Sequence, residues 1–341
     1  MRTNVIAFAA CAALAAALSF NSSALAAALS SNPSALAAAS SSGASAGAKS
    51  EDLRARTSAG DHVAKLDGVE LHYRIAGHGP LVVVQAPGWG IGTEYLEKGL
   101  APLREHFTVL TYDPRGTGQS TPVNPSAHVT NGDLAGDLER LRAYLGLDAM
   151  DLVAHSNGSA IAIVYAEAHP EHVRKLVLVG SQLLGYRGGW GPDGNAENER
   201  RARDPRFAAY AKLMHAPAAK DDAGFTRQFK DYAGYFFYDP ARDVPKLLAV
   251  MTQPMSAAMN KAFEESPPAK DAPPLEDLKK ITARTLVVDG RQDPVCPLAE
   301  SEAIQAGIPR AEIVAIDHAG HFPWIEQPAA FFAPVIRFLR S

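Results

Sequence analysis

An apolar run, Met150-Asp151-Leu152-Val153, meets the pentapeptide Ala154-His155-Ser156-Asn157-Gly158 and passes directly into a helix-like stretch over residues 159–168. That order demands a strand, an abrupt turn and a helix in immediate succession. Small residues two before and two after the serine let the backbone turn tightly. A serine on such a turn carries its hydroxyl above the end of a sheet. The pattern is a G-x-S-x-G nucleophile elbow with Ala154 in place of the first glycine. Serine and glycine are common, so the pentapeptide alone is weak; its weight comes from four other segments that agree with it in chain order.

The surrounding pattern predicts an α/β chain. Residues 69–74 alternate as an early antiparallel strand. Leu81-Val82-Val83-Val84 is a continuous apolar run, as in a strand buried on both faces. Residues 107–112, 151–154, 175–179, 285–288 and 312–316 read as further strands, and residues 134–145, 159–168 and 329–339 as helices. Strands alternating with helices predict a mostly parallel central sheet with helices on both faces. About 100 residues separate the strand ending at Gly180 from the one beginning at Arg284, far more than a crossover needs. Residues 183–275 are therefore expected to be an inserted helical cap, with residues 59–182 and 276–341 forming the core. The insert carries a helical pattern over residues 225–236 and a Pro-rich exit, Ser266-Pro267-Pro268 and Ala272-Pro273-Pro274.

Composition bounds the partners. The chain has 341 residues, 47% of them hydrophobic, enough for a full core, and a net charge of -4 with both signs dispersed. That balance gives no electrostatic basis for binding nucleic acid or an anionic membrane. Met1-Arg2, an uncharged apolar run over residues 5–20 and the small-x-small site Ala24-Leu25-Ala26 predict a signal peptide over residues 1–26 and export to the periplasm or medium. The rival, an uncleaved anchor, is disfavoured because the run is short and dominated by alanine. No stable membrane insertion is expected after cleavage. Residues 27–58, rich in Ala, Ser and Gly, are expected to be a disordered linker. Of the two cysteines, Cys11 leaves with the signal, so Cys296 has no internal partner and reads as a packing residue. The pattern leaves oligomeric state open.

An acyl-transfer serine needs a base, an acid that orients the base, and donors for the oxyanion. The base candidate among 11 histidines is His321, in Gly320-His321-Phe322-Pro323-Trp324 just after the last strand, preferred over His318. The acid candidate is Asp293, in Asp289-Gly290-Arg291-Gln292-Asp293-Pro294, on the loop beyond a strand; Asp289 competes from the strand end. The order Ser156, Asp293, His321 is nucleophile, acid, base. The oxyanion donors are the backbone N–H of Asn157 and that of Ala86 or Gly88, since Pro87 has none. Tyr112-Asp113-Pro114-Arg115-Gly116-Thr117-Gly118-Gln119-Ser120 closes a strand with a compact turn that supports the site without chemistry. Trp89, Tyr186, Trp190 and Tyr235 are candidates for an apolar substrate pocket. Acids of the insert such as Glu197 and Glu264 are candidates for a substrate ammonium. There is no H-E-x-x-H run and the histidines are scattered, so no metal or other cofactor is expected.

These residues resemble the α/β-hydrolase superfamily and, within it, the proline iminopeptidase-like branch. The resemblance covers residues 61–341 and rests on the Ser156 elbow, the D-x-R-G-x-G-x-S turn over residues 113–120, the Gly290 to Asp293 loop and the run GHFPWIEQ over residues 320–327. It implies the α/β-hydrolase fold with a helical cap after the sixth strand and a cofactor-free serine hydrolase that releases N-terminal residues from short peptides; the predicted signal peptide adds export. Two segments depart from that branch. The oxyanion loop reads Val84-Gln85-Ala86-Pro87-Gly88 in place of His-Gly-Gly-Pro-Gly, and the elbow carries His155 and Asn157 in place of Gly and Trp. They keep open the alternative of a carboxylesterase or lactonase acting on small esters. An alternative of another class is a non-catalytic binding protein on a hydrolase scaffold.

Overall fold

The computed structural model describes residues 53–186, 196–214, 216–266 and 275–341. The expected signal peptide, most of the expected linker, the Pro-rich exit from Pro267 to Pro274 and Trp190 lie outside them. Eight strands form one sheet in the order β1-β2-β4-β3-β5-β6-β7-β8. β1 (Gly60–Leu66) and β2 (Val69–Gly77) pair antiparallel, as do β2 and β4 (Thr108–Tyr112). β3 (Leu81–Gln85), β4, β5 (Met150–His155), β6 (Val173–Val179), β7 (Arg284–Gly290) and β8 (Ala311–Ile316) pair in parallel. The expected α/β architecture with a mostly parallel sheet is present. β1 adds an edge strand, turned back by Asp67-Gly68, a dipeptide suited to a tight hairpin.

The central strands alternate their side chains between two cores, as a period of two requires. Val83, Leu152, Leu176 and Val287 point into one, with Leu134, Leu138, Ile161 and Tyr165 from helices α2 (Asn131–Tyr144) and α3 (Asn157–Ala168). Val82, Val84, Val153, Val177, Leu286 and Val288 point into the other, under Tyr95 and Leu96 of α1 (Glu94–Gly99) and Phe331 and Val335 near the C-terminus. Each such side chain stabilises the fold by about 1.5–3 kcal/mol. Burial on both faces is why these strands read as continuous apolar runs.

Between β6 and β7 the described residues form helices: α4 (Ala196–Ala202), α5 (Ala208–Met214), α6 (Asp222–Tyr232), α7 (Pro240–Val250) and α8 (Ala257–Glu264). A 3-10 turn, Ala233–Phe236, ends the expected helical pattern after residue 232. The side chains of Asp221, Asp239 and Ser256 cap α6, α7 and α8 by accepting from the N–H groups of Gly224, Arg242 and Met259. After β7 come α9 (Leu298–Gly307), β8, α10 (Pro323–Glu326) and α11 (Pro328–Arg340).

Order begins earlier than the sequence predicts. Residues 53–56 are already helical, the Arg56 guanidinium donates to the Tyr144 carbonyl at 2.8 Å, and the Tyr73 hydroxyl donates to the Arg56 carbonyl at 2.9 Å. The composition of the linker concealed these few side chains, which find partners only in the folded domain.

Candidate active site

Three loops converge at the carboxyl ends of β5, β7 and β8, the edge at which open α/β sheets place their ligands. At the end of β5 the chain turns into α3 through one residue. Ser156 adopts φ 58° and ψ -128°, a left-handed conformation that is rare and strained for a residue with a Cβ. The Ser156 N–H still bonds the Val179 carbonyl at 2.9 Å, so the turn is anchored to β6. Gly158 is fixed by space: a Cβ there would lie 2.6 Å from the Gln85 carbonyl oxygen.

Asp293 and His321 meet across their loops. Asp293 Oδ2 accepts from His321 Nδ1 at 2.6 Å, and Asp293 Oδ1 accepts from the N–H groups of Val295 (2.7 Å) and Cys296 (3.0 Å). These three bonds fix both the carboxylate and the ring. With Asp293 as acceptor, His321 Nδ1 carries the hydrogen and Nε2 is left as a base. Asp293 and His321 are 1% and 4% exposed and Ser156 is 7% exposed, so the group is withdrawn from bulk water. Gly180 lines it closely: a Cβ there would stand 3.2 Å from both Asp293 Oδ2 and His321 Nδ1. Asp289, the competing acid, instead accepts from the Ser301 hydroxyl at 2.8 Å. His318 stacks edge-on against Tyr238 and lies outside the group.

The loop after β3 separates the two oxyanion options. The Gly88 N–H donates to Asn157 Oδ1 at 2.9 Å, which commits it elsewhere and corrects the Gly88 alternative. Ala86 lies buried on the same loop, and its carbonyl accepts from Gln85 Nε2 at 2.7 Å. The Asn157 amide also donates to Asn131 Oδ1 (3.0 Å) and Gln182 Oε1 (2.9 Å). One side chain therefore ties the β3 loop, α2 and the loop after β6 to the elbow. Sequence reasoning named only its backbone.

His155 is a second residue that the pentapeptide contained without revealing its part. Its Nε2 faces the His321 carbonyl at 2.9 Å and its Nδ1 faces the Tyr95 hydroxyl at 2.7 Å. A carbonyl only accepts, so Nε2 carries the hydrogen and Tyr95 donates to Nδ1. Burial holds the His155 pKa well below its usual value, with the charge of His321 acting in the same direction, so the ring is neutral.

The described candidate pocket residues, Trp89, Tyr186 and Tyr235, do not come together. Trp89 packs against Phe229 with ring centroids 5.9 Å apart, and its carbonyl accepts from Asn260 of α8. Tyr186 packs against the opposite core. Tyr235 is buried against Phe207, with its hydroxyl spent on Asn198. Glu197 is paired with Arg200 and Arg201 and is not a free ammonium site. In the turn after β4, Asp113 accepts from the N–H groups of Thr93 (3.1 Å) and Gln119 (3.0 Å), a purely supporting arrangement. Among the described residues one set of metal-type ligands, Glu139, His169 and His172, lies at the other end of the sheet. Its carboxylate already accepts from Arg142, Tyr165 and His172.

Buried acids surround the Asp293 loop. Burial, reinforced by the Asp293 charge, pushes Glu300 up to about 8, against the opposing Leu183 N–H. Burial also raises Asp289 well above the carboxylate range. A carboxylic acid raised on folding favours the fold fully below its unfolded pKa, near 4.3, and loses that contribution as pH rises through its folded value. Glu300 alone is therefore expected to lower stability by on the order of 3 kcal/mol between about pH 5 and 8, and Glu326, likewise pushed up to about 8 by burial, adds to the same slope. Glu300→Gln should make that slope shallower in denaturant titrations, leaving the Glu326 part; an equally steep slope in the variant would exclude Glu300 as a source.

A family model described as alpha/beta hydrolase fold matches residues 82–328. The chain is 26% identical over 238 residues to a probable proline iminopeptidase of Leptolyngbya boryana, covering 63% of this chain and 73% of that protein. It is 26% identical over 288 residues to a putative carbamate hydrolase RutD of Caulobacter segnis, covering 81% and 98%. A thermophilic esterase from Thermogutta terrifontis superposes with a TM-score of 0.62 at 20% identity over 83% of this chain and 98% of that one, a likeness of fold. With the family match running from β3 through β8 and including the elbow, the chain belongs to the alpha/beta hydrolase fold family and is a hydrolase enzyme, similar to proline iminopeptidases among its relatives.

Proposed function

We propose that the protein is an exported serine hydrolase working through an acyl-enzyme, with Ser156 as nucleophile, His321 as base and Asp293 as its orienting acid. The observation that carries this reading is the 2.6 Å bond from His321 Nδ1 to Asp293 Oδ2 beside a serine held at φ 58°. Ser156 Oγ adds to the substrate carbonyl carbon while its proton passes to His321 Nε2. The oxyanion is received by the N–H groups of Asn157 and Ala86. Collapse expels the amine or alcohol, which takes the proton from His321. Water then adds to the ester carbonyl by the same route, and Ser156 is released with its proton restored.

The substrate proposed is a short peptide losing its N-terminal residue, in keeping with the iminopeptidase relatives. A second reading, hydrolysis of small esters or lactones, is favoured by the Gln85-Ala86 loop and by the His155 and Asn157 side chains at the elbow. The Asn157 amide is fully engaged in bracing that loop. A fluorophosphonate probe followed by mass spectrometry should place one adduct on Ser156. Absence of labelling in folded protein would favour a binding role on this scaffold. Proline arylamides set against short-chain p-nitrophenyl esters then separate the two substrates. The export reading rests on residues 1–26 and is checked by sequencing the N-terminus of protein recovered outside the cytoplasm.

A further inference from the structure

Four consecutive residues of the segment between β6 and β7 hold both loops that carry Asp293 and His321. The Phe236 carbonyl accepts from the backbone N–H of His321 itself at 2.9 Å. The Tyr238 N–H donates to Glu326 Oε2 at 2.8 Å, and Glu326 Oε1 accepts from the N–H of Gly320 at 2.7 Å. The carbonyls of Tyr235 and Phe237 accept from Arg201 Nη1, the second at 2.9 Å. The other arm of that guanidinium, Nη2, donates at 2.8 Å to the carbonyl of Gln292, the residue before Asp293. Each of these bonds crosses from the insert to the core or is bridged by one side chain that does.

Arg201 is the unusual member. Its side chain is 0% exposed, although it lies on a short helix of the insert. Burying a guanidinium costs several kcal/mol unless its donors are satisfied. Here Nε pairs with Glu197 Oε1 at 2.7 Å, the two arms serve three carbonyls, and the plane lies 4.3 Å from the Phe207 ring centroid. An apolar residue would pack the insert at less cost. What an apolar residue lacks is a rigid, forked set of donors reaching from Tyr235 and Phe237 to Gln292.

We infer that Arg201 is a positioning residue: with the main chain of Tyr235 to Tyr238 it forms a strap that sets the distance between Asp293 and His321. The inference rests on the proposed nucleophile, acid and base, and adds that the insert is part of their support. Substrate seated against the insert is thereby coupled to the acid loop through Arg201, and to the base loop through Phe236 and Glu326. This edge of the insert does not lift without loosening the Asp293–His321 bond.

The test uses the full chain with Arg201→Met, Arg201→Lys and, as control, Arg203→Ala, an exposed neighbour. Three quantities are read: p-nitrophenyl acetate kinetics, fluorophosphonate labelling rate, and the low-field imidazole proton in NMR spectra. Arg201→Met should lower kcat and labelling rate by about 10- to 100-fold through a misplaced base, with KM held within about twofold. The low-field proton should weaken or move, Arg201→Lys should recover part of the loss, and Arg203→Ala should match wild type. A folded Arg201→Met protein with wild-type kcat and an unmoved proton overturns the strap. Hydrogen exchange of the wild-type chain provides the arm that needs no variant. Peptides covering residues 235–238, 290–296 and 317–322 should open as one unit; exchange of 235–238 while both loops stay protected also overturns it. If wild-type protein fails to label at Ser156, the serine reading falls, whereas the proton signal and the exchange pattern still decide the strap.

Discussion

Ser156→Ala is expected to lower ester or peptide turnover by about 10^4- to 10^6-fold and to abolish fluorophosphonate labelling, with the fold retained. The hydroxyl is the only group that the substitution removes, and among the described residues no other serine has a positive φ. The Ser181 hydroxyl, the nearest in sequence to the loop after β6, donates to Ser159 and is 0% exposed. Residual activity should come only from the oxyanion donors acting on water. The comparison with Ser156→Gly makes the experiment more discriminating. Alanine keeps the Cβ and hence the strain of φ 58°, whereas glycine adopts that conformation freely. Ser156→Gly should therefore be equally inactive but more stable than Ser156→Ala by about 1 kcal/mol, read from urea midpoints. Turnover of either variant within tenfold of wild type would remove Ser156 from the mechanism. Equal stability of the two would show that the turn is not strained.

The strained serine also marks where sequence reasoning works well. A strand, a small residue, Ser156 and Gly158 are contiguous, so one short window contains the causes of the turn. The same holds for α2, where Thr130 and Asp133 form a reciprocal capping box that starts the helix at Asn131, three residues before the apolar pattern begins. The box is legible in the sequence, whereas the spacing of leucines alone starts the helix at Leu134. The Asp67-Gly68 turn that adds β1 was readable too. Other features depend on residues far apart in the chain. Nothing in Asn157 announces that its amide takes the Gly88 N–H, and with it one of two oxyanion options. His155 acquires its fixed tautomer from Tyr95 and from the carbonyl of His321, 166 positions away. Arg201 looks like one more surface arginine in a run of charged residues, and only the folded insert brings it to Gln292. Tyr235 shows the reverse error, an aromatic suited to a pocket by composition whose hydroxyl and carbonyl are both engaged in structure.

Asp293→Asn is the second substitution with a large expected effect, and its geometry leaves no comfortable alternative. Asp293 Oδ1 accepts two backbone N–H groups while Oδ2 accepts from His321. If the asparagine keeps its oxygen on Val295 and Cys296, its NH2 faces His321 Nδ1. That nitrogen must then become the acceptor, the hydrogen moves to Nε2, and the ring no longer takes a proton from Ser156. If the amide flips, its NH2 confronts two N–H donors and two buried hydrogen bonds are lost, at about 1–3 kcal/mol for each donor left unsatisfied. Turnover should fall about 10^3- to 10^4-fold in the first case, with KM little changed, because substrate contacts are untouched. The charge lost at Asp293 has a second readout. That charge helps to raise both Glu300 and Asp289, so its removal should bring their pKa values down. For acids raised on folding, a lower folded value means less stability lost on the alkaline side. The variant should thus be catalytically crippled yet show a shallower decline of stability between about pH 5 and 8 than wild type. A variant within tenfold of wild-type kcat would exclude Asp293 as the orienting acid. An unchanged slope with lost activity would keep the catalytic role and reject the electrostatic link to the buried acids behind it.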